Sequence, residues 1–115
     1  MGPMMIYKIF TADQWVDLQT KGQTRGAPID LSDGFIHFST ATQAEETAAK
    51  HFADQDNLIL AAVDEQKLGS ALKWEISRGD AEFPHLYRML HLDEVIWHAP
   101  LPLIEGVHQF PRKMD

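Results

Sequence analysis

Cysteine is absent from the chain, which excludes disulfide bonds, a thiol nucleophile and a thiolate metal site. Lysine and arginine are scarce, since ten of them stand against seventeen acidic residues and the formal net charge is −7. This balance argues against nucleic acid or an anionic membrane as the main partner, because both attract clustered basic residues. Long apolar runs are also missing. The longest, Leu58–Val63, is far shorter than the roughly 20 residues of a membrane-spanning helix.

The start of the chain has no charged segment followed by an apolar core, which is the pattern of a signal peptide. We therefore expect a cytoplasmic protein that binds a small molecule. Its 115 residues, 44% of them hydrophobic, suffice for one domain with a single core. We place this domain at residues 5–115, after a disordered start at residues 1–4 and with residues 99–115 as a C-terminal extension. The oligomeric state is left open by the sequence.

The segment at residues 33–40 organises the predicted fold. Its residues alternate as in a strand, which places His37 and Ser39 on one face of a sheet. Thr40 then begins a helix, because Thr40 and Gln43 have the spacing of a capping box. A helix N-terminus favours anions such as phosphate groups. These residues therefore mark a candidate ligand site, and the alternative is a hydrogen-bonded histidine on a half-buried sheet.

The other elements predict an α+β fold. A second capping box, Thr11–Gln14, follows a first strand at Met5–Phe10 and begins a helix that ends near Gly22. Residues 23–32 show no helical period and are interpreted as an irregular loop. Leu58–Val63 is apolar on both faces, which is typical of a central strand. We expect a small split or curved, mainly antiparallel sheet with two principal helices.

Two further strands are predicted at residues 71–76 and 83–88, joined by turn residues at 77–80. Pro84 lacks an amide hydrogen, so the second of these segments is expected to be an edge strand or an extended loop.

Polar side chains of these two segments extend the candidate site. Glu75 lies on the face of its strand opposite the core face, and His85 and Tyr87 share one face of theirs. If these faces meet the one that carries His37 and Ser39, the chain forms an acid–base and hydrogen-bonding cluster. The alternative is that they are ordinary polar positions on open sheet faces.

Other kinds of site find less support. His37, Glu75 and His85 have the ligand types of a zinc or iron site, but their spacing matches no metal-binding motif. Ser39 lacks a nucleophile elbow, and no glycine-rich phosphate loop occurs. Arg78 is interpreted either as a solvated turn charge or as a guanidinium that binds a phosphate or carboxylate.

Taken together, these residues resemble the domain-of-unknown-function 952 (DUF952) family of small bacterial proteins. The resemblance spans about residues 5 to 98 and is carried by Ile6-Tyr7-Lys8-Ile9, Trp15, Gly22, Asp33-Gly34-Phe35-Ile36-His37-Phe38-Ser39, Gln43, Lys73-Trp74-Glu75, Ser77-Arg78-Gly79 and Phe83-Pro84-His85-Leu86-Tyr87. It implies a family without an assigned reaction, whose fold is grouped with the ADP-ribosyltransferase superfamily.

The wider resemblance implies roles for individual residues around NAD. His37 would lie against the nicotinamide or its ribose, and Ser39 with Thr40 would support the ribose pocket. Glu75 or His85 would take the part of the glutamate that stabilises the ribosyl cation in ADP-ribosyltransferases.

Three further residues are implied to bind the substrate. Lys8 or Arg78 would hold the pyrophosphate, because each carries a positive charge and lies within one of the matching segments. Tyr87, which shares a strand face with His85, is the third residue expected to bind the substrate.

The leading hypothesis is therefore an NAD- or nucleotide-related transferase or glycohydrolase, with His37, Glu75 and His85 as catalytic candidates. The residues identify no cofactor, and NAD is expected as a substrate. A noncatalytic module that binds a small ligand or a protein partner in the same cleft is the alternative, because the first strand carries Tyr7-Lys8 where ADP-ribosyltransferases have histidine or arginine. A metal-dependent hydrolase is less favoured.

Overall fold

The computed structural model describes residues 4–112 and 114, except for the side chain of Arg78. The helices are α1 (Ala12–Lys21), α2 (Pro28–Asp33) and α3 (Ala41–His51). The strands are β1 (Met5–Thr11), β2 (Gln23–Thr24), β3 (Ile36–His37), β4 (Leu58–Asp64), β5 (Leu72–Ile76), β6 (Glu82–Leu86), β7 (Leu90–His91), β8 (Val95–Leu101), β9 (Leu103–Ile104) and β10 (Val107–His108). The predicted disordered start lies outside the described residues, apart from Met4.

The strands pair into small antiparallel sheets. One has the order β1-β4-β8 and another the order β3-β6-β5, while β2 pairs with β7 and β9 with β10. Tyr7 of β1 and Ser39 exchange two backbone hydrogen bonds, of 2.7 and 2.8 Å, and so join the two larger sheets. The predicted α+β class, with small antiparallel sheets and two longer helices, is confirmed.

The central position of β4 explains its unbroken apolar sequence. Leu60 and Ala62 pack into a cluster with Tyr7, whereas Ala61 and Val63 pack into a second cluster on the other face of the sheet. A strand covered on both faces buries every side chain, so alternation disappears from its sequence.

Both predicted capping boxes are present. Thr11 accepts a hydrogen bond from the amide of Gln14, whose side chain accepts one from the amide of Thr11, and Thr40 and Gln43 repeat the arrangement. α1 ends at Gly22, whose φ of 77° is the left-handed conformation that favours glycine.

The prediction of an irregular loop at residues 23–32 is wrong. These residues contain β2 and most of α2, a six-residue helix. Pro28 occupies the first turn of α2, where its missing N–H has no helical partner to lose, and Gly34 ends the helix with a φ of 84°. A helix of under two turns is too short to show a period in its sequence.

The edge position predicted for Pro84 is also wrong, because β6 lies between β3 and β5. The Pro84 carbonyl accepts a hydrogen bond from the amide of Phe38, at 2.9 Å. Since the N–H and C=O of one residue point to the same side of an antiparallel strand, the missing donor falls on the β3 side, where pairing ends at His37. The β5 side of Pro84 needs no donor.

Smaller differences concern strand ends. Ile76, predicted on a core face, is 67% exposed because it lies at the end of β5. The predicted C-terminal extension at residues 99–115 supplies the end of β8 and the β9–β10 hairpin. Within the described part of the chain, none of the helices has the length and apolar character of a membrane span.

Candidate functional site

A cavity of about 610 Å³ lies beside the junction of β1 and β3, bordered by α2 and α3. Its lining is mostly apolar, and the larger apolar residues are Tyr7, Ile9, Ile29, Phe38, Phe52 and Phe83. The polar residues of the lining that bear on the chemistry are Lys8, Asp30, Asp33, His37, Ser39, Thr47 and His85. The cavity therefore combines an apolar wall with a few convergent polar groups, as small-molecule sites do.

His85 contributes a buried imidazole from the central strand β6. Its Nδ1 lies 2.8 Å from Oε1 of Glu75 on β5, and the same oxygen accepts a 2.7 Å hydrogen bond from the Tyr87 hydroxyl. A carboxylate only accepts hydrogen bonds, so Nδ1 of His85 carries a proton, and in the neutral ring Nε2 holds the lone pair. The side chain is 5% exposed, and among the described residues Nε2 has no hydrogen-bond partner.

The hydrogen bonds around Glu75 set the charges behind His85. The Tyr87 hydroxyl, followed by His85, lowers the pKa of Glu75 below its usual value. The same contact with Glu75 raises the pKa of Tyr87. Glu75 is therefore an anion at neutral pH, and Tyr87 stays a neutral donor.

A second network surrounds Asp30, a buried residue of α2. Its Oδ1 lies 2.5 Å from Nδ1 of His37 and accepts a 3.1 Å bond from the His37 amide. Its Oδ2 accepts a 2.7 Å bond from the Ala27 amide and lies 3.0 Å from Nζ of Lys8. Lys8 in turn donates to the carbonyl of His37 at 3.2 Å. One carboxylate thereby ties α2, β1 and β3 together.

These partners decide the ionisation of Asp30. Burial opposes its charge, but hydrogen bonds from His37 and the positive charge of Lys8 outweigh burial and lower the pKa of Asp30 to about 2. On the other side of the ring, Nε2 of His37 lies 3.0 Å from Asp33. His37 therefore forms ion pairs with both aspartates when it carries a proton on each nitrogen.

Phe35 holds the two imidazoles in place. Its ring stacks on His85 with centroids 4.2 Å apart, and it lies 4.6 Å from the His37 ring and 5.2 Å from the Tyr87 ring. The two imidazole centroids are 5.4 Å apart. The structure therefore brings His37 and His85 together, whereas the alternation in their segments left open whether their faces meet.

The remaining sequence candidates divide into two groups. Ser39 lines the cavity, with its Oγ 2.9 Å from the hydroxyl of Thr47 on α3. Glu75 does not line it and reaches it through His85, while Tyr87 borders a second cavity of about 360 Å³. Thr40 does not line it either, because its side chain caps α3. The predicted roles of these residues remain predictions.

Lys8 and Arg78 are the two predicted pyrophosphate ligands. Lys8 lines the cavity, but its ammonium group is bound to Asp30. The Arg78 side chain lies outside the described part of the structure.

Sequence reasoning missed Asp30 and Asp33, which line the cavity from α2. The available signal was Pro28 followed six residues later by Gly34, which matches proline at the start of a helix and glycine just after its end. Thr47 was missed because it lies within a helix whose small residues indicate only packing.

Among residues 4–112 and 114, no three histidine, cysteine or acidic side chains are arranged to hold a metal ion. The alternative that uses His37, Glu75 and His85 as ligands therefore gains no support from the described geometry. Glu75 is separated from His37 by the rings of His85 and Phe35.

A model of the family described as protein of unknown function, DUF952, matches residues 9–98. No curated protein matches the chain. The crystal structure of protein CC0527 from Caulobacter crescentus is similar, with 51% identity, a TM-score of 0.88, and coverage of 91% of this chain and 93% of that chain.

Two further structures of CC0527 from the same organism give the same result. A crystal structure of a double mutant has 50% identity and a TM-score of 0.88, covering 91% of this chain and 93% of that chain. A solution NMR structure has 51% identity and a TM-score of 0.83 over 91% of each chain. The fold is therefore shared with an experimentally solved relative over nearly its whole length.

Proposed function

The chain belongs to the DUF952 family, a family of unknown function. From the residues of the cavity, we propose that the protein is a hydrolase or transferase in which His85 is the general base. The NAD- or nucleotide-related transferase or glycohydrolase expected from the sequence is the form of this proposal that we favour. Its substrate would bind in the 610 Å³ cavity.

One observation carries the proposal. Nε2 of His85 is buried and has no partner among the described residues, and the His85 side chain belongs to the cavity lining. An unsatisfied buried polar atom costs about 1–3 kcal/mol, so native proteins rarely keep one without a use. A water or hydroxyl of the substrate would supply the missing donor.

Glu75 and Tyr87 explain how His85 would work. When Nε2 takes a proton from a nucleophile, the imidazole becomes positive. The Glu75 carboxylate, 2.8 Å from Nδ1, then stabilises that charge and fixes the ring orientation. Tyr87 holds Glu75 through its 2.7 Å bond. Glu75 is thus a positioning residue in this scheme.

His37 is the proposed acid. Its ring lies 5.4 Å from that of His85 and contacts a carboxylate at each nitrogen. In hydrolysis of a glycosidic bond, water gives its proton to His85 and forms the new carbon–oxygen bond. The carbon–nitrogen bond breaks, its electron pair goes to the leaving base, and His37 donates a proton where that base needs one.

The experiment is a base-release assay on NAD, nucleotides and nucleosides with wild-type protein and two variants. We expect turnover by the wild type and a loss of about 10²–10⁴-fold in His85→Gln, the usual contribution of a general base. His91→Gln is the matched control, because His91 is exposed and does not border the cavity. Absence of turnover with every compound, or full activity in His85→Gln, would refute the enzymatic proposal.

A noncatalytic binding module is the second candidate. The observation that favours it is that several polar groups of the cavity already bind one another, as Lys8 with Asp30 and Ser39 with Thr47. This candidate predicts ligand binding without turnover, weakened by His37→Ala or His85→Ala. Binding that survives both substitutions would exclude it.

A further inference from the structure

We propose that the molecule bound in this cavity carries no phosphate and is an uncharged nucleoside-like compound, a heterocycle with hydroxyl groups. This inference rests on the proposed function only in using the same cavity. It departs from the NAD and nucleotides considered above and selects their phosphate-free nucleoside parts as the ligand.

The charges on the lining are the first argument. Of the described side chains that line the cavity, Lys8 is the only lysine or arginine, and it forms a 3.0 Å ion pair with Asp30. Asp33 adds a second carboxylate to the same wall. The described lining therefore has no lysine or arginine left over for a phosphate, and a phosphate would approach the Asp33 carboxylate.

The wall itself is the second argument. Ile9, Phe38, Phe52 and Phe83 form an apolar surface that suits a flat heterocycle and provides no hydrogen bonds to a phosphate. A cavity of about 610 Å³ is within the range that holds molecules of this size.

The polar atoms of the lining are the third argument. Nε2 of His85 is buried, unpartnered among the described residues, and able only to accept a hydrogen bond in the tautomer that Glu75 selects. A hydroxyl or a ring N–H of the ligand is the complementary donor, whereas a phosphate oxygen at neutral pH has no proton to offer. Ser39 adds a hydroxyl on the same lining.

The test compares adenosine with adenosine 5′-monophosphate, because the two differ only in the phosphate. Binding is measured by calorimetry at low salt and by the ¹⁵N signals of the His85 ring. We expect adenosine to bind at least about 10-fold more tightly than the monophosphate, because the phosphate must approach Asp33. Asp33→Asn should narrow this ratio by about 3-fold or more, while Asp17→Asn, a charge-matched surface change, should leave it unchanged.

The outcomes separate this inference from the proposed function. Adenosine that binds and shifts the His85 signals, with no base released from adenosine or from any compound of the activity assay, supports the ligand class and refutes catalysis. Tighter binding of the monophosphate than of adenosine overturns the ligand class. If Arg78→Gln then abolished this preference for the monophosphate, Arg78 would be identified as the phosphate partner. Release of base from NAD without binding of adenosine likewise overturns the ligand class while leaving the proposed function intact. Failure of both compounds to bind also overturns it.

Discussion

At the scale of single residues, Asp30 determines the geometry of the site. Its two oxygens accept from the backbone of Ala27, the backbone and ring of His37, and the ammonium group of Lys8. A buried carboxylate is stable only when such donors replace water, and here they come from three separate segments of the chain. The position of His37 therefore depends on Asp30 as much as on its own strand.

The pH dependence of stability follows from this carboxylate. The pKa of Asp30 is about 2 in the folded state, against 3.8 for an unperturbed aspartate side chain, so the unfolded chain binds its proton more tightly. Its stabilising contribution, about 2 kcal/mol, is therefore complete above pH 4 and is lost as the pH falls towards 2. Urea unfolding between pH 2 and 6 measures it.

Asp30→Asn should remove most of that pH dependence and lower stability by about 3 kcal/mol at pH 7, because Lys8 would lose its buried partner. Asp17→Asn should keep the full dependence, since Asp17 pairs with Lys21 on the surface. An Asp30→Asn protein with an unchanged stability curve from pH 2 to 4 would show that another carboxyl group is responsible.

The Asp30 carboxylate leaves no room for a side chain at Gly26. A Cβ at this position would lie 2.1 Å from Oδ2 of Asp30, and the φ of +97° disfavours any side chain. Gly26→Ala should cost more than about 2 kcal/mol, because Asp30 is held by its partners and cannot move aside.

Gly22→Ala is the matched control for this prediction. Its φ of +77° is also left-handed, but nothing lies within 4 Å of the added carbon, so only the backbone cost of about 1 kcal/mol applies. Chemical unfolding of both variants measures the difference. Equal losses of unfolding free energy in the two variants would mean that the Asp30 side chain moves away from the new methyl group.

At the scale of elements, sequence patterns predicted what local interactions decide. Both capping boxes, the helix end at Gly22 and the central strand β4 follow from neighbouring residues, and all are present. The strand face of each imidazole also followed from alternation, but the meeting of the two faces did not. α2 was missed because six residues carry too little periodicity, and the central position of β6 was missed because strand order depends on partners distant in sequence.

In the candidate site, too, sequence patterns predicted the residues set by local alternation and missed those set by distant contacts. His37, Ser39 and His85 were predicted, because each alternates with apolar neighbours on a strand. Asp30 was not, since its role depends on the approach of Lys8 from β1, 22 positions earlier in the chain. Contacts between distant segments leave no local signal in one sequence.

Thr40 tests whether capping and ligand binding are separate functions of the same segment. Thr40→Ala should lower stability by about 1 kcal/mol, because the amide of Gln43 loses its acceptor. Thr40→Ser should restore that stability, since serine supplies the same oxygen. Ligand affinity should be the same in all three proteins, because Thr40 does not line the cavity. Thermal unfolding and calorimetry check both parts, and weaker binding in Thr40→Ala would contradict the separation.

At the scale of the whole molecule, the cavity lies where the two larger sheets meet. The Tyr7–Ser39 bridge joins these sheets, and both of its residues line the cavity. A ligand bound there contacts β1, β6 and α3 together, so its binding energy should oppose unfolding of the entire fold.

This coupling makes ligand binding measurable as stability. Adenosine at 100 times its dissociation constant should raise the free energy of unfolding by about 2.7 kcal/mol. The same concentration should have a much smaller effect on His85→Gln, in which the buried acceptor is replaced. An equal gain in both proteins would show that the ligand binds elsewhere.

The central claim is that His85, whose side chain lines the cavity, has an unprotonated Nε2 because Glu75 holds the proton at Nδ1. Long-range ¹H–¹⁵N correlation spectra of the histidine side chains at neutral pH test it directly. We predict a protonated Nδ1 and a bare Nε2 for His85, and loss of this preference in Glu75→Gln. A His85 ring with its proton on Nε2 and a bare Nδ1 would contradict the claim.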